Sequence, residues 1–344
     1  MQAVILGAGK STRTYPLTLT RPKPLLKVAN KTILEHNLDN LNGIVDEAIL
    51  VVGYKKDMIK KFFGNKYKNI KLKYVEQNEQ LGTGHAVSIV ESYIKDRFLL
   101  LMGDDTYSKW DIKNCIKNRY SILTAKVDDP QSFGVIVEKN GIVINFVEKP
   151  KTFISSLANA ALYCMDKKIF TYLSQIKKSE RNEFELPDAL RLLSKKEKIY
   201  CVESKQWLSI GYPWDLLKAD KILRKNKNLI GKNSKIYGKI YNSSVGDKCI
   251  IKGKVKNSVI MDNSVIEKDS VVEESVIGEN VYFKGKVKAK ENIYSIVKNK
   301  KIKVNKLGAI IADNVKAKNV IIEAGCKIWP NKKIKNKSIK KDVV

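Results

Sequence analysis

The sequence predicts an α/β chain in two parts: a mostly parallel sheet flanked by helices in residues 1–225, and a parallel β-helix in residues 226–344. Three observations carry this. Short apolar runs rich in β-branched residues alternate with stretches of helical period through the first half. The first of these runs empties at once into a glycine-bearing loop, Gly7-Ala8-Gly9. After the Lys/Asn-rich joint Arg224–Asn228 the helical phase disappears, and aliphatic doublets recur about every six positions.

The strand candidates of the first part are Ala3–Leu6, Glu47–Val52, Leu72–Val75, Phe98–Met102 and Ile122–Ala125. Between the first two, Leu34, Leu38 and Leu41 share one face of a helix. Strand, helix, strand at these lengths implies right-handed βαβ units, with ligands at the carboxyl ends of the strands. In the second part Asn257-Ser258-Val259-Ile260, Asn263-Ser264-Val265-Ile266, Asp269-Ser270-Val271-Val272 and Glu274-Ser275-Val276-Ile277 recur. Ile230-Gly231, Val245-Gly246 and Ile277-Gly278 add aliphatic–small doublets, and Leu307–Val315 resumes the pattern. One inward aliphatic per rung cannot form a core alone, so rungs must stack.

At 344 residues each part can bury a core. The formal net charge is +29, which raises nucleic acid as a partner. The lysines, however, are spread through both parts with no basic run interleaved with stacking aromatics, so no nucleic-acid partner is expected. The charge reads as a solvated surface that attracts anionic small molecules. Five scattered cysteines without a C-x-x-C favour reduced thiols, no zinc site and a cytoplasmic protein. No apolar run is long enough for a membrane span.

Several residues follow the strands. A buried strand ending in Gly7-Ala8-Gly9 exposes backbone N–H groups that can surround a phosphate, and Arg13 and Lys23 add fixed positive charge. The plain alternative is a tight turn with two surface cations. After the third strand, Gly82 and Gly84 flank Thr83 and let a loop lie flat against a planar group; Gln77 offers a donor and an acceptor for a base edge. His85 reads as a helix-start or packing residue, and His36 as a helix-surface one. Asp104 ends the fourth strand, where a carboxylate beside a phosphate loop suits Mg²⁺. Asp105 reads as a cap of the next helix.

Leu6-Gly7-Ala8-Gly9-Lys10-Ser11-Thr12-Arg13, with Pro16-Leu17-Thr18 and Arg21-Pro22-Lys23-Pro24-Leu25, resembles the opening of the sugar-1-phosphate nucleotidyltransferases. Gln77–Ala86 resembles the uridine-reading segment of the N-acetylglucosamine-1-phosphate uridylyltransferases. Phe133-Gly134, Glu148-Lys149-Pro150, Asn159-Ala160-Ala161 and Trp207–Leu217 match further segments of the family in order. The resemblance implies a Rossmann-like nucleotidyltransferase domain followed by a left-handed β-helix of hexapeptide repeats. It makes Leu6, Gly7, Ala8, Gly9, Gln77, Gly82 and Thr83 nucleotide-binding and Arg13 and Lys23 catalytic. Asp104 becomes the Mg²⁺ ligand, and Gly134, Glu148 and Asn159 the sugar contacts. Ser11 stands at a loop glycine of the family, Ala161 at another glycine, and Ser209 at the acid that is usually the second metal ligand.

The implied reaction joins UTP (or dTTP) and a sugar-1-phosphate into a nucleotide sugar and pyrophosphate. Uracil and thymine share their pairing edge, so a glucose-1-phosphate uridylyl- or thymidylyltransferase is a neighbouring reading. Members with this two-part plan also include non-catalytic regulatory subunits. In the bifunctional archaeal-type enzymes the β-helix acetylates an amine with the help of a histidine. Both histidines here lie in the first part, so acetyl transfer is expected to be absent and the coil to serve assembly, as a homo-oligomer and by analogy a trimer.

Overall fold

The computed structural model describes every residue, Met1–Val344. By contacts the chain forms two compact units, Met1–Gly9 with Leu34–Ser209 and Lys10–Ile33 with Ile210–Val344.

The first unit is built on a ten-stranded sheet. At its centre lies Gln2–Gly7, an apolar segment buried on both faces up to its last residue, as a strand covered by helices must be. It pairs in parallel with Glu47–Val52 on one side and Phe98–Met102 on the other. Glu47–Val52 is followed outward by Ile70–Glu76, again parallel. Strand order therefore reverses beside Gln2–Gly7, which opens a crevice at its carboxyl end. The other half of the sheet runs through Leu157–Met165, antiparallel to Phe98–Met102, then Ser121–Lys126 and Tyr200–Glu203. The antiparallel ribbon Gly134–Lys139 and Ile142–Glu148 closes that edge. One apolar core joins these strands to the helices Thr83–Ser88, Lys168–Leu173 and Leu186–Ser194.

The second unit contains a parallel β-helix. Three inward ladders of six residues each run in register along it. The first is Ile230, exposed at the open end of the coil, then Val245, Ile260, Ile277, Ile311 and Ile328. The second is Ile236, Ile251, Ile266, Phe283, Ala317 and Ile334. The third is Ile240, Val255, Val272, Val287, Ile322 and Ile339. Corners fall on residues with positive φ, most of them asparagines such as Asn263, Asn280, Asn314 and Asn331. Asparagine tolerates that conformation because its short amide bonds locally. Here the amides also stack: Asn314 donates to Asn331 at 3.1 Å and Asn319 to Asn336 at 3.0 Å.

A hairpin not anticipated from the sequence, Lys290–Val297 with Lys300–Leu307, leaves the coil between two rungs that stack directly on each other. Its two-residue turn, Lys298-Asn299, has φ of 48° and 61°, the mirror-image turn that suits strand twist. The remainder of this unit is the helix Asp215–Leu223 and the segment Lys10–Ile33. No helix of the chain is long and apolar enough to cross a membrane.

Candidate active site

Backbone geometry at the switch point is fixed by the loop itself. The Ala8 carbonyl accepts from Tyr54 N–H at 2.9 Å and from the Gln80 amide at 3.0 Å. Gly103 N–H donates to Leu6 O at 2.8 Å, tying the end of Phe98–Met102 to the same loop. A Cβ added at Gly9 would meet nothing within 4 Å. The protein's own packing therefore does not demand glycine there.

Gln77 follows the strand Ile70–Glu76 and is 6% exposed. Its Nε2 lies 3.1 Å from both Gly82 O and His85 Nδ1. Gln77 Nε2 donates to the Gly82 carbonyl and faces the His85 ring nitrogen. His85 thus orients Gln77 from the third position of the helix Thr83–Ser88. Gly82 has φ +100°, and Cβ atoms at Gly82 and Gly84 would fall 2.5 Å and 2.9 Å from Phe184 O. The flat loop expected from these glycines lies against the backbone of Phe184. Thr83 Oγ1 accepts from Leu186 N–H at 3.1 Å.

Asp104 and Asp105 sit half-buried after Phe98–Met102. Asp105 does not cap the next helix. Ser108 does, in a reciprocal box with Asp111, whose spacing S-x-x-D lies in the sequence. Asp105 instead accepts from the Trp207 indole at 3.0 Å. Trp207–Leu208 pairs antiparallel with Thr106–Tyr107, and Ser209 follows directly. Tyr107 is fully buried, and its hydroxyl is pushed well above the ordinary phenol range by burial, then by the Asp105 and Asp104 carboxylates.

The residues expected to touch the sugar come together. Gly134 faces Glu148 across the antiparallel ribbon, and a Cβ at Gly134 would lie 2.8 Å from Glu148 Oε2 and 3.9 Å from Asn159 Cβ. Asn159 bonds the Tyr163 hydroxyl at 2.8 Å and accepts from Ala161 N–H at 2.9 Å. Ala161 has φ +54°, which explains the family's glycine at this position. Phe133 meets Trp207 edge-on at 5.6 Å, which links this group to Asp105. Arg181, which no spacing in the sequence pointed to, lies 3.3 Å from Glu148 and 2.8 Å from Glu185.

Arg13 and Lys23 belong to the second unit. The Arg13 guanidinium lies 5.8 Å over the Tyr212 ring, which stacks on Trp214 at 5.0 Å. Lys23 is 5% exposed and opens the short turn Lys23–Leu25. Asp215 accepts from Gly211 N–H at 2.8 Å and Tyr212 N–H at 2.7 Å. Burial raises its carboxyl above the usual range, while those amides and Lys23 pull the other way. Ser11, at the family's glycine, has φ 50°, and its carbonyl accepts from the Thr14 and Thr18 hydroxyls.

The family description "Nucleotidyl transferase" matches residues 2–226, and "GMPPB C-terminal domain" matches residues 220–344. The "Bifunctional protein GlmU" of Methanococcus maripaludis is 36% identical, over 96% of this chain and 92% of its own length. A "Bifunctional sugar-1-phosphate nucleotidylyltransferase/acetyltransferase" of Sulfurisphaera tokodaii is 32% identical, over 95% and 94%. Among solved structures, a Bacillus anthracis chain named for glucose-1-phosphate thymidylyl transfer is 27% identical with a TM-score of 0.59, covering 66% of this chain and 97% of that one.

Proposed function

We propose, for a chain that belongs to the sugar-1-phosphate nucleotidyltransferases, that it transfers a uridylyl group from UTP to N-acetylglucosamine-1-phosphate. The products are UDP-N-acetylglucosamine and pyrophosphate. A phosphate oxygen of the sugar forms the new bond to the α-phosphorus, and the bond from that phosphorus to the pyrophosphate oxygen breaks. The nucleophile is already anionic near neutral pH, so no general base is required and His85 is left to orient Gln77. Catalysis then rests on alignment and charge neutralisation.

In this reading the amides of Leu6, Gly7, Ala8 and Gly9 hold the triphosphate, and Arg13 and Lys23 neutralise charge that shifts toward pyrophosphate. Gln77, with Nε2 committed to Gly82 and His85, turns its carbonyl oxygen to the N3–H of uracil; Gly82 and Thr83 frame the base. Gly134, Glu148 and Asn159 take the sugar, with Arg181 fixing Glu148.

Family members generally work with a divalent metal ion. In this reading that ion is Mg²⁺, which is commonly held by one or two carboxylates together with substrate phosphates. Asp104 would hold it, with the Ser209 hydroxyl at the place of a second carboxylate; when bound, the ion would offset phosphate charge. Acetyl transfer lacks a histidine base in residues 226–344, and the coil's role is homo-oligomeric assembly.

The single observation that carries the reading is the open glycine at Gly9 after the strand Gln2–Gly7, together with a Gln77 held by His85 after Ile70–Glu76, with Glu47–Val52 as the one strand between them. The test is pyrophosphate release with Mg²⁺, each NTP and a panel of sugar-1-phosphates. UTP with N-acetylglucosamine-1-phosphate should be the fastest pair. Preference for dTTP or glucose-1-phosphate would move the specificity, and silence with every pair would make the chain a non-catalytic subunit.

A further inference from the structure

The corners of the β-helix carry acidic residues that do two jobs. Asp262 Oδ1 accepts from Asp247 N–H at 3.0 Å, and Asp313 Oδ1 accepts from Glu279 N–H at 2.7 Å. Each carboxylate thereby caps the neighbouring turn of the coil. The other oxygen of each is turned outward to the segment Lys10–Ile33. Asp262 Oδ2 pairs with Lys27 Nζ. Asp313 Oδ2 takes Arg21 Nη2 at 2.6 Å and the Thr20 hydroxyl at 2.5 Å, while Glu279 pairs with Arg21 Nη1.

Arg21 is 8% exposed and Asp313 3%. A guanidinium held at both terminal nitrogens by two carboxylates has its plane and position fixed, in a way a single lysine contact would not achieve. Arg21 connects to Lys23 through Pro22, whose ring fixes its own φ and so transmits orientation along the chain. The turn Lys23–Leu25 follows, closed by Leu25 N–H to Pro22 O at 3.0 Å and Leu26 N–H to Lys23 O at 2.9 Å.

We infer that the β-helix holds the cation-bearing loop in working geometry through Glu279 and Asp313, which act as positioning residues for Lys23. The coil is then part of the transferase machinery as well as an assembly element. This rests on the reading of Lys23 as a catalytic cation under Proposed function.

The test uses the full chain with Asp313→Asn and Glu279→Gln, singly and together. Asparagine keeps Oδ1 for the Glu279 amide, so the coil stays capped while the charge facing Arg21 is removed. Two readouts are needed. Hydrogen exchange at the Leu25 and Leu26 amides should accelerate at least about tenfold in the double variant, with exchange in the coil ladders unchanged. In the pyrophosphate assay kcat should fall roughly 10–100-fold while KM for the nucleotide shifts less than about threefold, the pattern of a misaligned group and not a lost binding contact. Unchanged exchange at Leu25 and Leu26 would overturn the anchoring. Faster exchange with kcat intact would overturn the positioning role. If Lys23→Ala itself retains full activity, the reading of Lys23 fails and the exchange data alone decide whether the coil anchors the loop.

Discussion

Replacing Asp220 by alanine is expected to destabilise the second unit by about 3–4 kcal/mol. The carboxylate is 1% exposed and serves three partners: Arg224 Nε at 2.6 Å, Ala29 N–H at 2.8 Å and the Ser244 hydroxyl. It thus pins the helix Asp215–Leu223 both to the segment Lys10–Ile33 and to the coil. Hydrogen bonds to a charged acceptor are worth about 1.5–3 kcal/mol each, which gives roughly 4.5–9 kcal/mol as a gross ceiling. Removing the buried charge also removes its desolvation cost, and Arg224 keeps three acceptors, Lys227 O, Asn242 Oδ1 and Asn242 O. Breaking a buried pair from one side costs about 3–5 kcal/mol, and these remaining acceptors place Asp220→Ala in the lower half. At ~2–4 °C per kcal/mol for a unit of this size, the unfolding midpoint should drop by about 6–16 °C. The assay is urea and thermal unfolding followed by near-ultraviolet signals of Trp214 and Trp329, with the exposed pair Lys126–Glu203 as control. Removing that pair should change stability by less than about 0.5–1 kcal/mol. A loss below about 1.5 kcal/mol for Asp220→Ala would refute the view that this carboxylate ties the three segments together.

Gly82→Ala should cost about 1–3 kcal/mol and lower activity, because φ +100° and the Phe184 carbonyl 2.5 Å from the new Cβ both oppose it; denaturant midpoints equal to wild type would count against this packing. Ser11→Gly should stabilise by about 0.5–1 kcal/mol. The left-handed backbone costs a side chain ~1–2 kcal/mol, partly offset by the greater freedom of glycine when unfolded, and the Ser11 side chain makes no capping bond. A lower urea midpoint would contradict it. Asp166→Asn addresses pH. Burial acts to raise the Asp166 carboxyl, but the Lys168 amide, the Tyr120 hydroxyl and Arg119 outweigh it and hold it below its ordinary 3.8. The unfolded chain therefore takes up the proton first, so the stabilisation is present above pH ~4 and lost on acidification below it. The gap between wild type and Asp166→Asn, about 2 kcal/mol at pH 7, should close as pH falls through that range, and a gap independent of pH would refute the assignment.

The sequence was most legible where one physical requirement acts locally. Glu47–Val52 and Phe98–Met102 are visible as apolar runs because both faces of those strands are covered, so nothing polar interrupts them. The coil is visible because each rung must point one aliphatic inward. Long-range pairings left no such trace. Arg181 meets Glu148 33 positions away, inside a polar run that looks like any surface loop. Arg21 meets Asp313 292 positions away, so the grouping of Lys10–Ile33 with the coil has no local signature. Asp105 shows a different failure. The S-x-x-D cap at Ser108 was present to be read, and the aspartate nearer the strand drew the assignment instead. In the hairpin Lys290–Leu307, lysines alternate with Ile302 and Val304 on the second strand, but on the first the apolar Tyr294 and Ile296 stand between Ile293, Ser295 and Val297 and blur the period of two.

That hairpin has an evolutionary and practical meaning. Val276–Ile277 stacks straight onto Ile310–Ile311, so the stack is continuous across the excursion. The excursion is moored by Ser295 to Gly325 O and Lys327 to Ile296 O, and buries Val297 and Val304. The position is a port in the solenoid: foreign sequence could be spliced there, or the present one trimmed to a turn, without re-registering the rungs on either side. A lineage could change what this end of the molecule displays while leaving its scaffold untouched.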